Sequence, residues 1–138
     1  MRIVLDANIF ISSFFWGGNP RAVLKRAIAG LDELFITNEI LNEIENVIRR
    51  PKFHAGKKEI EFFIKSIEEI GEKIIIEKRT IKASRDISDN KYIDCGMAAD
   101  VDYIISGDVH LLEIKEYGKI KIVTAKEYLN IIGIESSV

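Results

Sequence analysis

The feature that most constrains this chain is an alternation, kept along its length, of short apolar segments and amphipathic segments. Five short segments are rich in β-branched or aromatic residues and too brief for helices, so each predicts a buried strand. Strands that alternate with helices form parallel sheets with right-handed crossovers and helices on both faces. We therefore expect an α/β fold, a three-layer α/β/α sandwich around a central, mainly parallel five-stranded sheet. The predicted strands are residues 2–5, 33–36, 73–76, 103–106 and 119–123.

Local signals predict where the intervening helices begin and end. Proline is favoured at the first position of a helix, Ser, Thr, Asp and Asn before it, and Gly or Pro beyond its end. These signals, with the apolar spacing, predict helices over residues 19–29, 38–50, 58–70, 89–99, 108–114 and 125–133. Thr37 or Asn38 is expected to cap the second of these helices, and Thr124 the last.

Composition limits the class of protein. The 138 residues are 47% hydrophobic, with no repeat or linker, so we expect residues 1–138 to form a single domain. No apolar run approaches the roughly 20 residues of a membrane span, and Asp6 comes too early for a secretory signal. The single cysteine, Cys95, indicates a reducing cytoplasm without disulfides. A net charge of −2 argues against a protein that merely coats nucleic acid, although a local basic surface is compatible with it.

Four acidic residues follow predicted strands at one edge of the sheet. Asp6 follows the first strand, Glu43 lies in the helix after the second, Asp89 opens a helix after the third, and Asp108 follows the fourth. Ligands of such sheets bind outside the carboxyl ends of the strands, so we expect these acids to converge. Clustered carboxylates need a cation, and oxygen ligands suit Mg²⁺ or Mn²⁺. The chemistry that fits is metal-assisted hydrolysis of phosphodiesters.

Each acid also has a structural interpretation. Asp6, Asp89 and Asp108 could each cap a helix or a turn. The apolar stripe of the helix over residues 38–50 places Glu43 and Glu45 on opposite borders of the core face, and spacing alone does not choose between them.

The helix over residues 89–99 carries further acids. At about 100° per residue, Asp89 shares the packing face with Tyr92, whereas Asp94 is expected on the solvated side. Asp86 could extend the acidic site, or it could pair with Arg85 and cap the turn before the helix. We favour the turn role.

Two surface segments have open interpretations. Arg49, Arg50 and Lys52 lie in a stretch without acids, which is either a solvated helix end or a border of the substrate groove that holds RNA phosphates. The turn Trp16-Gly17-Gly18 has an aromatic anchor and could also border that groove.

Four motifs in order resemble the PIN domain along nearly the whole chain, and most closely its branch classed as toxins of toxin–antitoxin systems. They are IVLDAN at residues 3–8, ILNEI at 40–44 followed by RPKF at 50–53, RDISDNKY at 85–92, and DYIISGD at 102–108.

The resemblance implies roles for particular residues. Glu43 is preferred to Glu45, and Ser106 stands where the family often has Thr, which keeps a hydroxyl that could hold a metal-bound water. Ile87 stands where the family often has Pro. The implied metal-binding and catalytic acids are Asp6, Glu43, Asp89 and Asp108, with Asn8, Ser106 and Asp86 as supporting residues.

The resemblance also implies an activity and partners. Similar family members are Mg²⁺- or Mn²⁺-dependent endoribonucleases, usually homodimers, silenced by a cognate antitoxin when they act as toxins. The alternatives are an RNA-processing nuclease outside any toxin–antitoxin pair, a non-catalytic module that binds RNA or protein, and a phosphoryl-transfer protein with Asp6 as nucleophile.

Overall fold

A six-stranded sheet flanked by helices forms the centre of the structure, a computed structural model that describes residues 1–77 and 90–133. In chain order its elements are β1 (Arg2–Leu5), α1 (Ala7–Phe15), α2 (Gly18–Ile28), β2 (Glu33–Ile36), α3 (Asn38–Ile48), a 3₁₀ turn (Pro51–Phe53), α4 (Lys57–Ile70), β3 (Gly71–Lys73), α5 (Asn90–Ala99), β4 (Tyr103–Ile105), α6 (Val109–Leu112), β5 (Glu116–Tyr117), β6 (Ile120–Val123) and α7 (Ala125–Ile131).

The order of the strands is β3-β2-β1-β4-β6-β5. From β1 the chain builds outward through β2 to β3, and then returns to β4 and β6 on the other side. The order therefore reverses between β1 and β4, which pair in parallel. The crevice outside the carboxyl ends of strands at such a reversal is where α/β sheets bind ligands.

The two central strands are buried on both faces, as their unbroken apolar runs predict. The side chains of Ile3, Val4, Leu5, Ile104 and Ile105 are at most 1% exposed. This confirms the α/β architecture with a mainly parallel sheet.

Among the described residues the sheet has six strands, so the expected number of five was wrong. The additional strand, β5, pairs antiparallel with β6 through Glu116 opposite Lys121 and Tyr117 opposite Ile120. A two-residue strand is too short to have a detectable period in the sequence. Gly118, at φ +60°, makes the tight turn between the two strands.

β3 begins at Gly71, earlier than the predicted strand over residues 73–76. The reason is that α4 passes directly into β3 at Gly71. A Cβ atom at Gly71 would lie only 2.9 Å from Cγ2 of Ile36. Glycine therefore lets β3 approach β2 at this point, and the glycine that ends the helix also begins the strand.

Helix α1 was not predicted at all. Six of its nine residues are apolar, and it packs against both α2 and α3, so its polar residues are too few to give a clear amphipathic period. Among the described residues, no helix combines the length and apolar character needed to cross a membrane.

The predicted helix caps are present. The Thr37 hydroxyl accepts a hydrogen bond from the Ile40 amide at 3.1 Å. The Thr124 hydroxyl accepts one from the Glu127 amide at 3.1 Å, and the Glu127 carboxylate in turn accepts one from the Thr124 amide at 3.0 Å. Each cap begins a helix directly after a strand, which sets where the chain leaves the sheet.

Candidate functional site

The register of the two central strands brings Asp6 and Ser106 together. Leu5 pairs with Ile105, so the next residue on each strand lies at the same edge of the sheet. The Asp6 amide donates to the carbonyl oxygen of Ile105 at 3.1 Å, which continues the pairing by one step. The carboxyl ends of β1 and β4 therefore present a carboxylate beside a hydroxyl at the point where the strand order reverses.

Asp6 is a buried carboxylate, 2% exposed, that also caps α1. Its Oδ1 accepts a hydrogen bond from the Ile9 amide at 3.2 Å, and its Oδ2 accepts one from the Ser106 hydroxyl. Burial raises the pKa of Asp6 to about 6, helped by the charge of Asp108 and opposed by hydrogen bonds from Ser106, Ile9 and Asn8. The interpretation of Asp6 as a helix cap is therefore correct, and it is compatible with a functional role.

Ser106 connects two acids. Its buried hydroxyl donates to Asp6 and accepts a hydrogen bond from the Asp108 amide at 2.9 Å. Asp108 caps the short helix α6, because its Oδ1 accepts from the His110 amide at 2.8 Å. The Ser106 hydroxyl therefore links the Asp6 side chain to the Asp108 backbone at one edge of the sheet.

Glu43 is connected through Tyr92 to the start of α1, next to Asp6. The buried Tyr92 hydroxyl accepts a hydrogen bond from the Ala7 amide at 3.0 Å and donates one to Oε2 of Glu43 at 3.0 Å. Lys91, on the same helix, forms a salt bridge with Oε1 of Glu43. Both oxygens of this carboxylate are thus held by adjacent residues of α5.

Glu45 faces elsewhere. Its Oε2 pairs with Arg49 on the exposed side of α3, at 2.9 Å from Nη2. The structure therefore places Glu43 beside the start of α1 and leaves Glu45 in a surface ion pair. Spacing along the helix did not distinguish the two residues.

The PIN domain family model matches residues 2–110, the stretch that contains all of these contacts. The chain belongs to the PIN domain family. PIN domains are generally nucleases, so the fold is a nuclease fold. No curated protein matches the chain.

Other predicted site residues of this PIN domain lie at its surface or outside the described residues. Asn8 is exposed, and its backbone amide stabilises the Asp6 carboxylate. Arg50 and Lys52 are exposed at the 3₁₀ turn that follows α3. Asp86 and Asp89 lie outside the described residues.

Tyr92 and Lys91 were not predicted as site residues. The sequence signal for Tyr92 was its place on the packing face of the helix, which indicates burial and says nothing of a polar partner. Burial raises the pKa of Tyr92, and the charges of Asp6 and Glu43 raise it further, so its hydroxyl remains a donor.

The expectation for Asp94 was wrong, because this residue is 4% exposed. Helix α5 packs against β1, β2 and β4, and Asp94 lines a cavity with Lys73 and Ile74 on a further side of the helix. Periodicity identified one buried face of a helix that has more than one. Burial, with the charge of Asp94, raises the pKa of the Cys95 thiol to about 12, so this thiol is not a nucleophile.

We expect Tyr92→Phe to lower the free energy of unfolding by about 1–3 kcal/mol, because the Ala7 amide loses its acceptor and Glu43 loses a donor while the ring still packs. Urea denaturation measures the change. Tyr117→Phe on the edge strand is the control and should alter stability by less than about 0.5 kcal/mol. Equal effects of the two variants would mean that the Tyr92 hydroxyl does not join these groups.

We expect the metal-free PIN domain to lose stability as pH rises from about 4 to about 6. The folded state keeps the Asp6 proton up to about pH 6, whereas the unfolded chain releases it near its ordinary pKa of about 3.9. Between these values the folded state binds more protons, so the free energy of unfolding decreases as the pH rises, by about 3 kcal/mol in total.

The Asp6→Asn variant tests this expectation in EDTA. It should lack that decrease and be the more stable protein at neutral pH. Asp100→Asn, which alters an exposed pair with Lys119, is the control and should follow the wild type. Parallel stability–pH curves for wild type and Asp6→Asn would contradict the raised pKa of Asp6.

Proposed function

We propose that this PIN domain is an endoribonuclease that requires Mg²⁺ or Mn²⁺ and hydrolyses RNA phosphodiester bonds with a metal-activated water. The observation that carries the proposal is the buried Asp6 carboxylate at the end of β1. Ser106 joins it to Asp108, and the Ala7 amide and Tyr92 hydroxyl join its helix to Glu43.

The donors in this arrangement fit a hard divalent cation. Within residues 1–77 and 90–133, no group of three or more His, Cys, Asp or Glu side chains is placed to hold a metal ion by itself. Mg²⁺ is commonly held by only one or two carboxylates and keeps several waters. The carboxylates of Asp6 and Asp108 would therefore be enough protein ligands for one ion, with water molecules as the other ligands. A cation would also stabilise the ionised form of Asp6, whose burial favours the protonated form. Asp89 stays a predicted fourth acid.

Several residues of the chain would each have a distinct role at the proposed metal site. When bound, the metal ion would supply an activated water and stabilise the charge that develops on the phosphate. Asp6 and Asp108 would hold it, and the Ser106 hydroxyl fixes the orientation of Asp6. Tyr92 and Lys91 orient Glu43, which lies beside the same edge of the sheet. Such supporting hydrogen bonds commonly affect metal affinity or activity by about 10- to 100-fold.

The cellular role and the partners are part of the proposal. The resemblance of the four motifs supports a cytoplasmic toxin that acts on RNA as a homodimer and is silenced by a cognate antitoxin. An RNA-processing nuclease outside a toxin–antitoxin pair would share the same acids and differ only in its cellular effect.

We expect the purified protein to cleave labelled single-stranded RNA when Mn²⁺ or Mg²⁺ is added, and not in EDTA. Asp6→Asn and Glu43→Gln should each reduce the rate by about a hundredfold or more, because they remove groups that organise charge at the reacting phosphate. Asp108→Asn should show a milder loss. A gel assay measures the rates, with circular dichroism to verify folding.

Glu45→Gln is the matched control on the same helix and should retain the wild-type rate. If the protein binds RNA, and neither the added metal ions nor these substitutions change the state of that RNA, the chain is a binding module. The nuclease proposal then fails. Growth arrest on expression of the wild type, relieved by Asp6→Asn, would support the toxin role. Cleavage without growth arrest would favour the RNA-processing alternative.

A further inference from the structure

We propose that Phe15, Trp16 and Phe53 form an aromatic platform on which bases of single-stranded RNA stack, at a distance from the acids. Lys52 lies beside these rings, and Arg50 precedes the 3₁₀ turn that carries Phe53. The inference rests on the proposed function, because it takes RNA as the substrate, and it adds a second place where the same strand is held.

The platform is a group of mutually packed rings with one ring largely in water. Phe15 and Phe53 are stacked, with centroids 4.9 Å apart and planes 16° from parallel. Trp16 lies 5.6 Å from Phe15 and 6.3 Å from Phe53, and it is 70% exposed. An exposed indole supported by half-buried rings offers a flat surface to another aromatic group, and every nucleobase presents such a face.

Cations accompany the rings, which favours an anionic occupant. The Lys52 ammonium lies 5.1 Å from the centre of the Phe53 ring. Arg49 pairs with Glu45, whereas Arg50 and Lys52 form no salt bridge within residues 1–77 and 90–133. Between Glu45 and Glu59 the sequence contains no acid.

This combination distinguishes RNA from a protein partner. The centres of protein interfaces are depleted in lysine, whereas sites for single-stranded nucleic acid combine stacking rings with cations along the backbone. We therefore assign the platform to RNA and make a second copy of this chain an outcome of the test.

Two helices connect the platform to the acids. At the beginning of α1, the Ala7 amide is joined through the Tyr92 hydroxyl to Glu43, in the middle of α3. At their end, Phe15 of α1 stacks on Phe53, just after α3. The helices therefore run side by side in one direction, and the nine residues of α1 separate the two sites by about 14 Å. A strand of a few nucleotides would reach both.

The platform is held in place before any ligand binds. Gly17 and Gly18 turn the chain at positive φ, +83° and +64°, directly after Trp16. Arg21 donates from Nε to the Ser13 carbonyl oxygen at 2.9 Å and so fixes the end of α1. A fixed surface loses little conformational freedom on binding, which favours affinity.

The test uses the single tryptophan of the chain as the reporter. Binding of a short, unstructured oligoribonucleotide, in EDTA to prevent cleavage, should quench the fluorescence of Trp16 to saturation. Trp16→Leu should weaken binding of single-stranded RNA about tenfold, measured by fluorescence anisotropy of the labelled RNA, and leave binding of duplex RNA unchanged. Lys52→Gln should reduce the slope of log affinity against log salt by about 0.7.

Phe62→Leu is the matched control, because Phe62 is 75% exposed on α4 and lies outside the platform. It should bind single-stranded RNA as the wild type does. If the wild type binds and cleaves RNA while Trp16→Leu binds single-stranded RNA with unchanged affinity, the platform proposal is wrong. The proposal of a nuclease is then unaffected. If Trp16→Leu instead converts a dimer to a monomer in sedimentation without altering RNA affinity, the rings are an interface between copies. If the wild type neither binds nor cleaves RNA, the proposed function fails together with the platform.

Discussion

The structure depends on one buried carboxylate. Asp6 ends the central strand, begins the first helix and lies where the strand order reverses, so a single side chain links the sheet, α1 and the candidate site. Its two oxygens accept hydrogen bonds from Ile9 and Ser106, and burial still raises its pKa to about 6. Burial destabilises the ionised carboxylate, and a bound cation would stabilise it. The proposed nuclease chemistry needs such a cation.

Hydrogen bonds of Ser106 and Tyr92 connect the acids with one another. Ser106 lies beside Asp6 because Leu5 and Ile105 pair in register, and Tyr92 bridges α1 and α3 because its ring is buried beneath them. The same side-by-side helices that bring Glu43 to the acids bring Phe53 to Phe15 at their other end. The geometry that orders the acidic site therefore also orders the proposed RNA platform.

The sequence was informative where patterning and backbone chemistry act locally. The parallel sheet, the caps at Thr37 and Thr124 and the positions of Asp6 and Asp108 after their strands follow from such signals. Helix α1 was missed because it has too few polar residues for a clear amphipathic period, and β5 because two residues carry no period. Asp94 was misjudged because α5 is covered on several sides. Tyr92 and Lys91 could not be identified as partners of Glu43, since contacts between residues 48 and 49 positions apart depend on how α3 and α5 pack.

The most direct test of the central claim is anomalous X-ray diffraction from crystals of the protein soaked in Mn²⁺. We predict an anomalous peak at the carboxyl ends of β1 and β4, about 2.1 Å from a carboxylate oxygen of Asp6. The peak should disappear in crystals of the Asp6→Asn variant grown and soaked in the same way. Manganese peaks confined to other surfaces, or a peak at this edge that persists in the variant, would contradict the assignment of Asp6 as a metal ligand.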